Sequence, residues 1–433
     1  MVCCLNVEID LRIGLVCRWY PPEDWGGVAT YVHALASGLR DYGHDVTVLT
    51  STLDKSLINT EHFENQIRIM RIRRFRFPWF VHRLYMIGRQ ATSVTQLAYN
   101  VRLVPVLRRL VERLKLDIIE YADVNGEGAF HRWVSPLIPY VVRLQSPLFV
   151  LEKFYTSFET MSSYKLTALM EKHAIVHAST LISPSRSMAG IIADVCGIKV
   201  NQIRVMANPL DPEYLAPLPA SREFNFPPNT VLYLGRLEKR KGAFVFAEAI
   251  PIVQRAVPDG FFVFAGPDRH SPYGWSSRAE IEKYLFDKEV PADRILFLGQ
   301  VPRSKLRACY SEPTLVVIPS LYEAYPYSVI EAMSCGASVV ASDCYGIPEV
   351  INHGVTGLLA KAGDSADLAD CVINLLRNPS RRHQLAVAGR KFVREECSPR
   401  RIAALTTQVY FETVRDYRSK DRRIQNRVNP IVS

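Results

Sequence analysis

Two glutamates eight positions apart are the first candidates for chemistry in this 433-residue chain. Glu323 lies in a loop interrupted by Pro319 and Pro326, and Glu331 lies in a stretch of helical pattern that begins at Ser328. An ionised carboxylate accepts hydrogen bonds from neighbouring sugar hydroxyls, and the free amides of a helix N-terminus suit a phosphate. Polyol and phosphate recognition on one turn favours a nucleotide sugar as the ligand.

Ser328 and Glu331 also have a purely structural explanation. Their spacing is that of a capping box, in which the serine side chain accepts from the glutamate amide and the glutamate side chain accepts from the serine amide. On these two residues alone, capping is the better explanation of the pattern. Only the longer stretch around them favours a ligand site.

Two cations occupy a corresponding place after an earlier predicted strand. Arg236 and Lys241 follow the apolar segment 230–234 and precede a predicted helix near Ala243. Positioned Arg and Lys side chains stabilise a departing diphosphate without a metal. A solvated charge run is the alternative explanation. The charges between the two cations are expected to be solvated in either case: Glu238, Lys239 and Arg240.

Apolar segments that alternate with helical patterns must position these loops. Such segments in the second half of the chain are 230–234, 261–265, 295–298, 314–318, 338–341 and 357–360. Those in the first half are 11–17, 45–49, 116–121, 139–144, 179–183 and 203–206. Alternation of this kind predicts two parallel sheets, and ligands of such sheets bind beyond the carboxyl ends of the strands.

The stretch around the two glutamates resembles the signature of retaining GT-B glycosyltransferases of the family 4 type, which include bacterial polysaccharide and lipopolysaccharide transferases. The matching residues are Glu323, Glu331, Ala332-Met333, Gly336, Ser342-Asp343 and Gly346-Ile347-Pro348-Glu349. The family's diphosphate loop is matched by Gly235, Arg236, Leu237, Lys241 and Gly242. The resemblance extends over most of the chain. Its combined pattern is specific, whereas the spacing of the two glutamates alone is weak.

The resemblance implies an α/β architecture of the GT-B type, with two Rossmann-like, doubly wound parallel-sheet domains facing across a cleft. We expect an N-terminal acceptor-side domain at 1–210, a proline-rich linker at 211–220 and a C-terminal nucleotide-sugar-binding domain at 221–398. Residues 399–433 are expected to form a helix that returns toward the N-terminal domain, followed by a tail.

The same resemblance implies roles for single residues. Glu331 is expected on the ribose hydroxyls of the donor, and Glu323 is expected on the sugar hydroxyls as a catalytic residue. Arg236 and Lys241 are expected on the diphosphate. Further donor contacts are expected at Gly26, Gly27, Val301, Tyr327 and Ser328. The two glycines would let backbone amides approach a ligand closely, although glycines that only ease a turn have the same pattern.

Gln145 is the second predicted catalytic residue and a departure from the family. Many members carry a histidine at this position, close to the donor sugar. Glutamine keeps a hydrogen-bond donor and an acceptor but cannot titrate. Either hydrogen bonding suffices here or activity is reduced. We favour the first explanation, because retaining mechanisms of the same-face type need no histidine base.

Asp123 and Glu127 are candidates for binding the acceptor. They lie in a polar loop after the predicted strand 116–121. Their carboxylates could accept from the hydroxyls of an acceptor sugar. Because Asp, Asn and Gly are also ordinary turn residues, a structural turn is the stronger explanation of this loop.

A basic segment suggests a further partner. Residues 66–89 contain seven arginines among five aromatic residues and no acid, in a chain of net charge +10, and a second basic helix is predicted at 101–116. This mixture suits an anionic membrane surface, where each Arg is worth on the order of 1 kcal/mol. A solvated basic face explains it equally well. RNA binding is the weakest explanation, because no RNA-binding motif is present.

Composition argues against several other classes of protein. The nine cysteines are scattered, odd in number and without a Cys-x-x-Cys pair, which is typical of a reduced cytoplasmic chain. The sequence contains no apolar run of about 18 residues, so no membrane span is predicted. The N-terminus also lacks the pattern of a secretory signal. Neither an Asp-x-Asp motif nor a metal-spaced histidine pair is present, so we expect no metal and no cofactor.

These observations favour a retaining glycosyltransferase of the hexosyltransferase type. It would move a sugar from a nucleotide diphosphate sugar to a glycan or lipid-linked acceptor, in cell-surface polysaccharide or lipopolysaccharide synthesis. We expect it in the cytoplasm, or peripherally on the inner face of the membrane, without a nucleic acid partner. Two alternatives stay open: a nucleotide-sugar 2-epimerase of similar fold, and a non-catalytic partner subunit that kept the fold.

Overall fold

The computed structural model describes residues 10–23, 25–74, 91–134, 138–152, 165–216, 222–268 and 276–428. The chain divides into two compact units. Unit 1 comprises Met1–Pro184, Met188–Pro209 and Pro399–Ser433, and unit 2 comprises Ser185–Ser187 and Leu210–Ser398. Most of the basic aromatic segment, residues 75–89, lies outside the described residues. Among the helices described, none is both long and apolar enough to cross a membrane.

Unit 1 is built on an eight-stranded sheet. Its strands are β1 Arg12–Val16, β2 Asp45–Thr52, β3 Thr60–Glu64, β4 Ile67–Arg73, β5 Ile118–Ala122, β6 Tyr140–Arg143, β7 Thr180–Ser183 and β8 Ile203–Val205. The spatial order is β3-β4-β2-β1-β5-β6-β7-β8, and only the pairing of β3 with β4 is antiparallel. β5 is buried along its whole length, as expected for a central strand covered on both faces. The order reverses beside β1.

Helices cover this sheet. In the first half of the chain they are α1 Gly27–Asp41, α2 Ala91–Leu114, α3 His131–Val134, α4 Leu148–Leu151, α5 Lys165–Val176 and α6 Arg186–Cys196. The long last helix, numbered α13 below, also belongs to unit 1 and spans Pro399–Val428. A Cβ on Gly38 of α1 would lie 2.4 Å from the carbonyl oxygen of Pro399, so these two helices meet at a position that requires a glycine.

A buried ion pair anchors α13 to the sheet of unit 1. Glu120 of β5 and Arg143 of β6 pair at 2.9 Å, and both side chains are buried. Tyr410 of α13 donates to the same Glu120 at 2.7 Å. A buried charge without compensation is strongly destabilising. The Tyr410 hydroxyl therefore supplies part of the compensation that the Glu120 carboxylate needs.

Unit 2 is built on a six-stranded, all-parallel sheet. Its strands are β9 Thr230–Leu234, β10 Phe261–Ala265, β11 Ile295–Gly299, β12 Leu315–Ile318, β13 Val339–Asp343 and β14 Leu358–Lys361, in the spatial order β11-β10-β9-β12-β13-β14. Its helices are α7 Ala243–Ala256, α8 Ser277–Asp287, α9 Arg303–Ser311, α10 Tyr327–Ser334, α11 Ser365–Arg377 and α12 Pro379–Glu396. The rings of Tyr233, Phe246 and Phe264 pack together in its core, with the first two stacked and the last two tilted. Two doubly wound sheets confirm the predicted α/β fold class.

Most of the described part of the basic segment forms strand β4, in which Arg73 is exposed and other arginines have partners. Arg71 of β4 is only 2% exposed, and its guanidinium donates to the carbonyl of Pro21 and contacts the ring of His62, both at 2.7 Å. Arg68 pairs with Glu61 of β3. Arg68 and Arg71 therefore have partners within unit 1, which the sequence of β4 does not reveal, and membrane contact through residues 66–89 stays a prediction.

Candidate active site

The loops after β9 and β12 meet where the strand order of unit 2 reverses. β9 and β12 pair in parallel, so their carboxyl ends lie side by side. Gly242, at the end of the first loop, has a φ of +72°, and a Cβ there would lie 1.8 Å from the carbonyl oxygen of Pro319. The amide of Leu321 donates to the carbonyl of Arg240 at 2.8 Å. In open α/β sheets, a ligand binds at such a reversal.

The pairing of Lys241 with Glu323 is the central contact between these loops. The ammonium of Lys241 lies 2.6 Å from Oε1 of Glu323, and Ser320 donates to the same oxygen at 2.8 Å. Glu323 is 8% exposed. An ammonium has three N–H donors, so Lys241 can serve Glu323 and still donate to a phosphate. The cation and the acid singled out in the sequence are therefore brought together.

Arg236 lies in the same loop and is half exposed. Its guanidinium pairs with Glu238 at 3.0 Å, and Arg240 pairs with the same carboxylate at 2.9 Å. Glu238 is 4% exposed, so the prediction that it is solvated is wrong. Two cations surround this buried acid, which holds the loop in shape and leaves Arg236 available at the surface. Lys239 is exposed, as predicted.

Glu331 is held by a tyrosine that the sequence did not single out. It lies within α10 and is partly buried, and Tyr310 of α9 donates to its Oε2 at 2.9 Å. Burial raises the pKa of Glu331 to about 7, while the Tyr310 hydrogen bond and the charge of Arg303 oppose that rise. With Oε2 occupied by Tyr310, the other oxygen of Glu331 is the one suited to accept from a ligand hydroxyl.

The capping explanation of Ser328 and Glu331 is wrong. α10 begins at Tyr327, its N-cap is Pro326, and no side chain caps it. Ser328 therefore lies in the first turn of the helix, and Pro326 occupies the N-cap position instead. The amide of Tyr327 already donates to the carbonyl of Tyr325 at 3.1 Å.

Val301 follows β11 and immediately precedes α9, whose first residue is Arg303. Val301 is half buried, and Gly299 before it has a φ of +66°. Arg303 pairs with Asp211 at 3.0 Å and with Glu213 at 3.3 Å. This cation thus ties the loop of Val301 to the start of unit 2, and no motif in the sequence marks it.

Each half of the chain matches a known protein family. Residues 25–214 match the family described as Glycosyltransferase Family 4, and residues 218–392 match the family described as Glycosyl transferases group 1. The structure is similar to sucrose-phosphate synthase from Thermosynechococcus elongatus, with a TM-score of 0.73, 22% identity and coverage of 93% of this chain and 98% of that one. The chain is a GT-B glycosyltransferase.

Other relatives of this glycosyltransferase include a glycogen synthase of Mycobacterium tuberculosis strain H37Rv. It is 26% identical over 426 residues, which are 96% of this chain and 98% of the relative. The Anabaena protein Alr3699/HepE in complex with UDP-glucose has a TM-score of 0.64 and 16% identity, covering 93% of this chain and 99% of that one. At this identity the structural likeness shows the fold alone.

In unit 1 of the glycosyltransferase, Gln145 and Asp123 are in contact. The main-chain N–H of Gln145 donates to Oδ2 of Asp123 at 2.9 Å, and the Gln145 side chain exchanges two hydrogen bonds with Asn208, at 2.9 and 3.3 Å. Burial raises the pKa of Asp123 to about 7. Two residues predicted for different sites are therefore one buried group, and both ends of the Gln145 amide have a partner.

Glu127 and the two glycines complete the predicted set. Glu127 is 3% exposed, and burial raises its pKa to about 8. Its loop contains Asn125 at φ +67° and Gly126 at φ +64°, so the explanation as a structural turn holds for the backbone. Gly26 is the N-cap of α1 and Gly27 its first residue, and both are exposed. Their role at the donor stays a prediction.

No group of three or more His, Cys, Asp or Glu side chains arranged to hold a metal ion occurs among the residues that the structure describes. The absence of a metal requirement stays a prediction. It is consistent with the chemistry expected of Arg236 and Lys241, whose fixed charges can act on a diphosphate directly.

Proposed function

We propose that this glycosyltransferase moves a hexose from a nucleotide diphosphate sugar to a glycan or lipid-linked acceptor, with retention at the anomeric carbon. The observation that carries the proposal is the contact of Lys241 with Glu323 at 2.6 Å. It joins the cation expected on the diphosphate to the carboxylate expected on the sugar, at the point where the two parts of one donor meet. The Anabaena neighbour, which binds UDP-glucose, supports a nucleotide sugar as the donor class.

Each polar group in unit 2 has a task in this proposal. Lys241 and Arg236 stabilise the charge that develops on the departing diphosphate. Glu331 accepts from the ribose hydroxyls, and Glu323 accepts from the hydroxyls of the transferred sugar. The loop of Val301 holds the base, and the first turn of α10 faces the phosphates through the amide of Ser328, since the amide of Tyr327 already donates to Tyr325.

The proposed reaction needs no side-chain base. The bond from the anomeric carbon to the diphosphate oxygen breaks, and the acceptor oxygen bonds to that carbon on the same face. The proton of the acceptor hydroxyl passes to the departing phosphate oxygen, so atoms and charges balance. Gln145 cannot titrate, and in this scheme it acts only through hydrogen bonds.

The direct test is product analysis with a panel of nucleotide sugars and acceptors. Transfer with an α-linked donor should give an α-linked product, measured from the anomeric proton coupling by NMR. An inverted product would overturn retention, and a new nucleotide sugar formed without acceptor would identify an epimerase. Unchanged turnover in both Glu331→Gln and Arg236→Gln would contradict the assigned site.

We further propose a cytoplasmic location with peripheral membrane contact, in polysaccharide or lipopolysaccharide synthesis. The glycogen synthase relative supports a polysaccharide product class. Arg102, Arg108 and Arg109 of α2 are exposed, and a basic helix face suits anionic lipids. Replacing Arg102 and Arg109 by Ser should weaken sedimentation with phosphatidylglycerol vesicles, whereas Arg278→Ser on α8 should not. Equal binding by all variants would argue against docking through α2.

A further inference from the structure

A second polar cluster lies at the carboxyl edge of the unit 1 sheet, and the donor chemistry does not use it. It is formed by Arg18 after β1, Ser51 of β2, Arg74 after β4, Tyr99 of α2 and Glu127. The strand order of unit 1 reverses at β1, which lies between β2 and β5. A ligand of an α/β sheet binds at such a reversal, so the cluster occupies the place where unit 1 would hold one.

Ser51 links the main chain of Arg18 to the side chain of Arg74. It donates to the main-chain carbonyl of Arg18 at 2.7 Å and accepts from Nε of Arg74 at 3.2 Å. The guanidinium of Arg18 also lies 5.1 Å from the ring centre of Tyr99, which fixes its plane. Burial lowers the pKa of Arg18, and the charge of Arg74 lowers it further, so the two guanidinium groups are near enough to repel each other. An anion between like charges removes that repulsion. The arrangement is therefore suited to a bound anion.

Among the described residues, the acids nearby neutralise these arginines only in part. Within the described residues, the side-chain hydrogen bond of Arg18 is to the uncharged Gln96. Burial raises the pKa of the neighbouring Glu127 to about 8, so that carboxyl is mostly protonated at neutral pH. Arg74 forms a long ion pair with Glu23, at 3.9 Å. In the part of the chain that the structure describes, the positive charge of Arg18 is therefore left without an ionised carboxylate in hydrogen-bond contact.

Buried polar atoms in the cluster are unpaired. Oε1 of Glu127, which is 3% exposed, and Nε of Arg18 have no hydrogen-bond partner among the residues that the structure describes. Buried polar atoms are nearly always paired in native proteins. A neutral carboxyl can donate one hydrogen bond, and a guanidinium donates only, so both groups are suited to the same acceptor oxygens.

We propose that this cluster is an anion subsite that binds a phosphate group of the acceptor through Arg18 and Arg74. The assignment of this phosphate to the acceptor depends on the proposed transferase function, whereas phosphate binding itself does not. A soluble sugar phosphate and a lipid-linked phosphate present the same group to these arginines. The two sources differ in what carries the phosphate, and that difference can be measured.

The experiment uses the full chain with Lys241→Gln, which removes the ammonium of the donor loop. Binding of inorganic phosphate and of glucose 6-phosphate is followed by titration calorimetry. Adding Arg18→Gln or Arg74→Gln should weaken binding about tenfold, the effect of losing a charged hydrogen bond. Arg18→Lys should retain most of the binding, because it keeps the positive charge. This variant therefore distinguishes loss of the charge from loss of the folded structure. Arg132→Gln, an exposed arginine of α3, is the matched control and should bind as the parent does.

A second arm compares vesicles of phosphatidylcholine with vesicles that also contain phosphatidic acid. Glucose 6-phosphate binding that depends on Arg18 and Arg74 indicates a soluble phosphorylated acceptor. Binding to phosphatidic acid vesicles alone, with the same dependence, indicates a lipid phosphate. Binding that neither arginine affects, or no binding in either arm, would overturn the subsite. Because no donor is present, phosphate binding can succeed while transfer fails, so the two proposals are tested separately.

Discussion

Tyr310 influences the ionisation of Glu331. Its hydroxyl donates to the carboxylate at 2.9 Å, while burial raises the pKa of Glu331 to about 7. Arg303 also opposes the rise, whereas Asp211 and Glu213 add to it. A residue outside every motif therefore influences whether Glu331, the acid proposed to bind the ribose, is ionised near neutral pH.

Replacing Tyr310 by Phe should raise the KM for the donor about tenfold near pH 7, because a hydrogen bond to a charged group is lost. The hydroxyl lowers the pKa of Glu331, so its removal raises that pKa further and leaves less ionised acid at neutral pH. The KM should therefore recover as pH rises, while kcat changes little. The measurement is the pH profile of kcat/KM, whose midpoint should move upward.

Tyr140→Phe provides the matched control. It also removes a buried hydroxyl, which donates to the carbonyl of Ala174 at 3.0 Å in unit 1. A midpoint that moves equally in both variants would mean that Tyr310 acts only through general stability.

Lys241→Met should lower kcat/KM by a factor of about 100, in line with the loss of one preorganised charge. The ammonium lies against Glu323 at 2.6 Å, so the effects of Lys241→Met and Glu323→Gln should be non-additive in a double-mutant cycle. Lys239→Met is the control, because Lys239 is exposed in the same loop. Additive effects, or an equal loss in the control, would contradict a shared role on the donor.

Single residues also show what the sequence could not reveal. The motif placed Lys241 and Glu323 in the site, because their types and spacing are tied to donor chemistry. Tyr310 and Arg303 were missed, because their contacts with Glu331 and with residues 211–213 depend on how α9 packs against its neighbours. The burial of Glu238 and the partners of Arg71 were also missed, because both depend on contacts far along the chain.

At the level of elements, the donor loops depend on a close backbone approach at Gly242. Gly242→Ala should lower the free energy of unfolding by more than the roughly 1 kcal/mol expected for a left-handed alanine. A Cβ there would meet the Pro319 carbonyl at 1.8 Å, so the two loops must separate. Denaturant unfolding and donor affinity measure the two effects.

Gly354→Ala is the control for that substitution. Gly354 has a φ of +74°, and its nearest neighbour is the flexible end of Arg381 at 3.4 Å. It tests the backbone conformation without the clash. An equal loss of stability in both variants would show that loop contact at Gly242 has no special importance.

Strands were easier to predict than helix ends. Segments 230–234 and 261–265 coincide with β9 and β10, because continuous apolar runs leave little doubt in a buried parallel sheet. α2 begins at Ala91, ten residues before the predicted 101, since its first turns are polar. Only the structure shows that α10 begins at Tyr327, with Pro326 at the N-cap position and no side-chain cap.

For the whole molecule, transfer should persist in excess EDTA. Arg236 and Lys241, in the loop after β9, carry fixed charges, so in the proposed reaction they would stabilise the leaving diphosphate without an added ion. Initial rates with EDTA, and after adding back Mg²⁺ or Mn²⁺, are the measurement. Activity that disappears with EDTA and returns with one of these ions would show that the site needs a metal.

The position of α13 has a consequence for how the protein is made. Unit 1 combines residues from the start of the chain with Pro399–Val428. The hydrogen bond from Tyr410 to Glu120 of its sheet can therefore form only after residue 410 has left the ribosome. Unit 2, contained almost entirely in Leu210–Ser398, is complete earlier. Until then Glu120 and Arg143 lack their third partner. A nascent chain that stalls before residue 399 would therefore depend on chaperones at its first-made half rather than its second.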